Sequence, residues 1–132
     1  MSAQERLLIE AAITASQHAY IRYSNYRVGA ALRAVNGLIY HGCNIENASY
    51  PVTICAERVA LAKAVSDGVR EFDAIAVVTA NGASPCGMCR QMLFEFAPQL
   101  QVLIADFYGT LHHKLPLSDL LFLGFGPTHL EK

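Results

Sequence analysis

Two uninterrupted apolar runs separated by one helical segment constrain this chain more than any other feature. Ala74-Ile75-Ala76-Val77-Val78 and Val102-Leu103-Ile104-Ala105 contain no polar residue. Strands that do not alternate are buried on both faces. Between them, after a loop of Asn81, Gly82 and Pro85, the spacing predicts a helix over about Gly87 to Phe96. A strand, helix, strand unit closes through a right-handed crossover with parallel pairing. The rest of the chain must therefore cover a sheet from both sides. Ser2-Ala3-Gln4-Glu5 reads as a capping box, and Leu7, Leu8, Ala11, Ala12, Ala15 and Ala19 recur at helical spacing through about Tyr20. Val28, Ala30 and Leu32 alternate with Arg27 and Arg33 as a strand, and Asn36-Gly37 turns it into a second strand at about Leu38–Cys43. A second helix is expected from near Cys55 to Asp67, with Gly68 as its stop. A short strand after Gly109 and a helical turn at Leu117–Leu121 complete the pattern. The sum is an α/β chain, a mixed sheet with helices on both faces.

Composition narrows the class. A chain of 132 residues is expected to form one domain, 1–132. Hydrophobic content of 53% and charged content of 16% exclude disorder. A net charge of −1 offers no basic track for a nucleic-acid polymer. So few charges imply that some surface is hidden by self-association. No run approaches the roughly 18 apolar residues of a membrane span. Glu5 and Glu10 interrupt the first apolar stretch, which is not a signal-peptide layout, so the cytoplasm is the expected compartment. Four cysteines there point to metal or redox chemistry rather than disulfides.

Three of the four cysteines fall at two helix starts. Pro85-Cys86-Gly87-Met88-Cys89 places two thiols at i and i+3, with Cβ atoms about 5–6 Å apart, close enough to share one zinc. A helix N-terminus also favours thiolate, the ligating form. Cys55-Ala56-Glu57 puts a thiol and a carboxylate at the other start, where they can splay around the helix end. Each fragment alone has an ordinary alternative: a redox pair for Cys86 and Cys89, or a carboxylate on a helix dipole for Glu57. Cys43 is a rival fourth ligand that would make the metal purely structural.

Taken together, the Cys-x-Glu and Pro-Cys-x-x-Cys segments resemble the signature of zinc-dependent nucleoside deaminases. The chain closely resembles the small cytidine deaminases. Tyr23-Ser24-Asn25-Tyr26-Arg27-Val28-Gly29-Ala30-Ala31-Leu32, Gly42-Cys43-Asn44-Ile45-Glu46-Asn47-Ala48-Ser49-Tyr50-Pro51, Ile54-Cys55-Ala56-Glu57-Arg58 and Ser84-Pro85-Cys86-Gly87-Met88-Cys89-Arg90-Gln91 carry the likeness, which extends to Phe125-Gly126-Pro127. The resemblance implies a three-layer α/β/α sandwich around a mixed five-stranded sheet. It implies one zinc per chain on Cys55, Cys86 and Cys89, with Glu57 as proton carrier and Arg58 supporting the ligand sulfurs. Cytidine and 2′-deoxycytidine would be the substrates, deaminated in pyrimidine salvage. Asn44 and Glu46 would meet the ribose, the Ala56 N–H the base carbonyl, and Tyr26 the base face, where the family usually has Phe. Phe125 would reach a neighbouring subunit's site in a homotetramer. Cys43, following Gly as in the family, would be a small buried side chain rather than a ligand.

Overall fold

The computed structural model describes residues 1–131; Lys132, the last residue of the expected domain, lies outside them. Its strands are β1 (Gly29–Ala34), β2 (Ile39–Cys43), β3 (Phe72–Val78), β4 (Gln101–Ala105) and β5 (Leu111–Pro116). They form one sheet in the order β2-β1-β3-β4-β5. Only β3 and β4 run parallel, joined by the expected crossover; the other pairings are antiparallel. Helix α1 (Ala3–Ser16) covers one face, while α2 (Ala56–Ser66) and α3 (Gly87–Phe96) cover the other. The fold is the three-layer α/β/α arrangement of the sequence expectation. Among the described residues, no helix is long and apolar enough to cross a membrane.

Strand pleating assigns the two cores. Leu32, Ile75, Val77, Val102 and Ile104 point toward α2 and α3. Ala31, Ala74, Ala76, Val78 and Ala105 point toward α1, meeting Leu8, Ile9 and Ala12. The small side chains on that face let α1 lie close, and Gly29 completes the fit: a Cβ there would sit 2.0 Å from the Ala12 carbonyl oxygen. Covering both faces also explains β1, where the expected apolar–polar alternation gives way to near-complete burial. Helix α1 ends at Ser16 rather than near Tyr20. The Tyr20 N–H is captured instead by the Asn44 carbonyl at 3.0 Å, and the Glu46 N–H returns to the Tyr20 carbonyl at 2.9 Å. Long-range pairing outcompetes another helical turn at that point.

The capping box of α1 is present: Ser2 Oγ accepts from the Glu5 N–H at 3.1 Å, and the Ser2 N–H donates to Glu5 Oε1 at 2.8 Å. Lys114 Nζ reaches Glu5 Oε2 at 2.6 Å, tying α1 to the edge strand β5. The Lys114 hydrogen bond first, and the Ser2 N–H second, lower the Glu5 carboxyl from its ordinary 4.5 to about 2. A carboxyl depressed by folding contributes stability above its unfolded pKa, and loses it as pH falls through the folded value. Between pH 5 and pH 2, acid unfolding of the wild type is therefore expected to be steeper than that of Glu5→Gln. The two proteins should converge near pH 2, as checked by circular dichroism.

One end of the sheet gathers every loop that matters. Gly29, the first residue of β1, faces Cys43, the last of β2, and Val78, the last of β3. Val78 in turn faces Ala105, the last of β4. Residues 21–28, 44–55, 79–86 and 106–110 therefore meet at that end. Gly42 sets how closely α2 approaches: a Cβ there would lie 2.1 Å from the Ala56 carbonyl oxygen and 2.7 Å from the Ala60 nitrogen. Gly42→Ala is expected to cost about 3 kcal/mol, the upper part of the overpacking range. Its thermal midpoint should fall by roughly 10 °C in a melt of purified protein.

Candidate metal centre and active site

Both predicted helix starts are present and both end on a cysteine. Cys55 caps α2 and Cys86 caps α3, each with extended backbone. The Cys86 sulfur accepts the Cys89 N–H at 3.5 Å, one of the first-turn amides that a helix leaves without an internal acceptor. Cys86 Sγ lies 3.2 Å from Cys89 Sγ and 3.7 Å from Cys55 Sγ. All three sulfurs fall within 4.8 Å of one another. Two helix N-termini thus aim at one sulfur cluster, and their positive ends favour thiolate. Hydrogen bonding with the Cys89 sulfur pulls the Cys55 thiol down to about 5 against the effect of burial, with Arg58 assisting. The Cys89 thiol moves the other way, pushed up by Cys55 and by complete burial.

Arg58 lies against Cys55. Its Nη2 donates to Cys55 Sγ at 3.8 Å and to the Thr53 carbonyl at 3.2 Å. Its Nε is buried without a partner. Glu57, on the first turn of α2, is 3% exposed, and its Oε1 is the other buried side-chain polar atom without a partner among the described residues. Burial, above all, raises its carboxyl pKa, and the Cys55 charge adds to the rise. An orphaned buried carboxylate oxygen on a side chain that interacts with Cys55 and Cys89 suits a metal site with a proton carrier. It does not suit a helix-dipole ornament, which would face water.

Cys43 is not part of the cluster. It lines a separate cavity of about 230 Å³ with His18, His41 and Lys63, and burial raises its thiol. The fully closed, structural four-cysteine site is therefore excluded by position.

The remaining candidates are distributed around the same sheet end. Asn44 is buried and already engaged: its Oδ1 accepts the Val28 N–H at 3.0 Å and its Nδ2 donates to the Tyr26 carbonyl at 2.8 Å. Glu46 Oε1 accepts the N–H groups of Tyr23 and Ser24 at 2.9 and 3.0 Å. A cavity of about 290 Å³ opens there among Tyr23, Ser24, Glu46, Tyr50 and Thr53. Ala56 is buried at the first position of α2, and Tyr26 is partly exposed. Phe125 is 54% exposed and stacks on His129 with ring centroids 5.3 Å apart.

Two residues quoted only as part of a motif prove to organise the cysteine loop and the tail. Arg90 donates to the Pro85 carbonyl at 2.7 Å, the Ser84 hydroxyl at 2.9 Å and the Leu120 carbonyl at 3.0 Å. Gln91 Nε2 donates to the Phe125 carbonyl at 2.8 Å. Their place directly after Cys89 was the available signal.

Comparison with known proteins agrees with this geometry. Residues 2–105 match the family described as the cytidine and deoxycytidylate deaminase zinc-binding region. A cytidine deaminase of Halalkalibacterium halodurans is 45% identical over 119 residues, covering 88% of this chain and 89% of that protein. One from Sporosarcina psychrophila is 57% identical over 94 residues, covering 70% and 68% respectively. The crystal structure of cytidine deaminase from Burkholderia pseudomallei superposes with a TM-score of 0.88 at 45% identity, covering 95% of this chain and all of that one. The zinc-binding region spans the three-thiol cluster, which supports one zinc per chain. Fold, sulfur cluster and relatives agree, and the chain belongs to the cytidine and deoxycytidylate deaminase zinc-binding family.

Proposed function

We propose that residues 1–132 act as one catalytic domain that hydrolyses cytidine and 2′-deoxycytidine to uridine and 2′-deoxyuridine with release of ammonia, serving pyrimidine salvage in the cytoplasm. The observation that carries this reading is Glu57, a buried carboxyl with a free Oε1 that interacts with Cys55 and Cys89 of the three-sulfur cluster. Zinc held by Cys55, Cys86 and Cys89 would supply the Lewis acidity that makes water a nucleophile near neutral pH. Glu57 takes the proton of the attacking water, delivers it to ring nitrogen 3, and then carries the second proton to the departing amine. Burial raises the Glu57 carboxyl, which makes it a stronger base toward the proton of water than an ordinary carboxylate. Arg58, in contact with Cys55, offsets part of the negative charge of the thiolates.

Substrate contacts follow from what each side chain has left to offer. The Ala56 N–H, on the first turn of α2, has no acceptor within the helix and suits the base carbonyl. Glu46 uses one oxygen on two backbone amides and keeps Oε2 for the ribose 3′-hydroxyl. Asn44 fixes residues 26–28 and retains one amide proton for the sugar. Tyr26 offers its ring to the base. The exposed Phe125 ring would complete a neighbouring subunit's site in a homotetramer, held in place through Gln91. A nucleoside is the substrate, since a chain of charge −1 carries no track for a polynucleotide.

Loss of the cytidine ultraviolet band tests the reading directly. Cytidine and 2′-deoxycytidine should both be converted, and free cytosine far more slowly, because it leaves Glu46 without a hydroxyl. No spectral change with either nucleoside would overturn it.

A further inference from the structure

Tyr26 carries a hydroxyl that base contact does not use. Its partner lies across the sheet end: Tyr26 Oη donates to Asn81 Oδ1 at 2.8 Å. Tyr26 precedes Gly29 by one short loop and Asn81 follows Val78 by another, and Gly29 faces Val78 in the β1–β3 ladder. The bond therefore joins two loops that leave adjacent strands at the same place, the second of which runs on into Cys86. Asn81 is itself anchored from below. Thr79, 3% exposed, donates its hydroxyl to the same Asn81 oxygen at 3.3 Å and accepts the Ala83 N–H at 2.9 Å. The Tyr26 backbone is fixed at both ends, with its N–H on Ser24 Oγ at 2.9 Å and its carbonyl on Asn44 Nδ2 at 2.8 Å. Only the ring remains to be set, and the hydroxyl bond sets it.

We propose that Asn81 is a positioning residue that holds the Tyr26 ring in its base-binding orientation, latching residues 21–28 to the loop that carries Cys86. The proposal rests on the deaminase reading above and adds a residue that acts through Tyr26 rather than on the reacting atoms. A ring held in advance needs no ordering when the nucleoside arrives, and ordering a side chain weakens binding. The effect belongs to affinity more than to the chemical step.

A double-mutant cycle tests this with Tyr26→Phe, Asn81→Ala, the double variant and Asn81→Asp. The readouts are KM and kcat for cytidine, the calorimetric Kd for the product uridine, zinc content, and hydrogen exchange of residues 21–28. Each single variant should raise KM and the uridine Kd by about three- to tenfold, the range of one net hydrogen bond, with a smaller change in kcat. The double variant should be no worse than either single one. Asn81→Asp keeps an acceptor oxygen and should restore both constants. Zinc content should not change, and exchange should quicken equally in Tyr26→Phe and Asn81→Ala. Additive losses, failure of Asn81→Asp to rescue, or a loss of zinc in Asn81→Ala would overturn the latch. If the wild type leaves cytidine unchanged while exchange shows the same coupling, the latch stands and the substrate reading falls. If cytidine is turned over and neither KM nor exchange responds to Asn81, the latch falls alone.

Discussion

Glu57→Gln keeps its zinc and loses deamination by about 10²–10⁴-fold, the usual contribution of a positioned proton carrier. The substitution preserves size and shape at a side chain that is 3% exposed. What it removes is the capacity to carry a proton from water to the ring and on to the amine. The fold should not suffer. Burial already disfavours the charged carboxylate, so a neutral amide of equal size relieves a cost, and the thermal midpoint should equal or exceed that of the wild type. Stopped ammonia release with full zinc occupancy, by coupled assay and atomic absorption, is the expected result. Unchanged turnover would leave Glu57 a structural carboxylate.

Cys89→Ser has the second large effect, and through the opposite channel. Cys89 is fully buried on the first turn of α3, 3.2 Å from Cys86 Sγ. A serine hydroxyl stays protonated where a metal-bound thiol ionises, so the cluster loses one of its three anionic donors. Zinc affinity should fall by more than about 100-fold, because removing an outer partner of a ligand already costs about 10–100-fold. Activity should fall with it. Cys43→Ser provides the contrast: its sulfur lies in a separate cavity, and zinc content should stay at one per chain.

Legibility in the sequence followed the range of the interactions involved. Helix α3 occupies Gly87–Phe96, the span its local pattern predicts, because Pro85 and Cys86 start it by short-range chemistry. Helix α2 was equally readable, with Gly68 at φ +84° as the stop that its missing side chain permits. The parallel β3–β4 pair followed from two apolar runs and a crossover. The end of α1 was not readable, because it is decided by the bridge from Tyr20 to Ile45, between segments far apart in the chain. Alternation at β1 failed for a related reason, since two helical layers bury both of its faces.

The site divides the same way. Cys55, Cys86 and Cys89 announce themselves by spacing at helix starts, and the structure brings them within 4.8 Å of one another. Arg58 was legible from its place one residue after Glu57, and its guanidinium does reach Cys55. Asn81 read only as a loop residue, because its partner Tyr26 is distant in sequence and adjacent only through the β1–β3 register. Asn44 shows a further limit: the resemblance implied a sugar contact, while its two hydrogen bonds to the backbone of residues 26 and 28 come from folding and were not readable. Arg90 could not be assigned as a clamp from its motif, since two of its acceptors are backbone carbonyls placed by folding.

The central claim is that the buried Glu57 carboxyl and the three-sulfur zinc site together deaminate cytidine. The most direct measurement is zinc per chain determined in parallel with ammonia released per uridine formed, before chelation, after it, and after zinc is restored. One zinc per chain, one ammonia per uridine, loss of both on chelation and recovery of both on reloading are expected. Ammonia release that persists without zinc, or fully loaded protein that leaves cytidine intact, would contradict the claim.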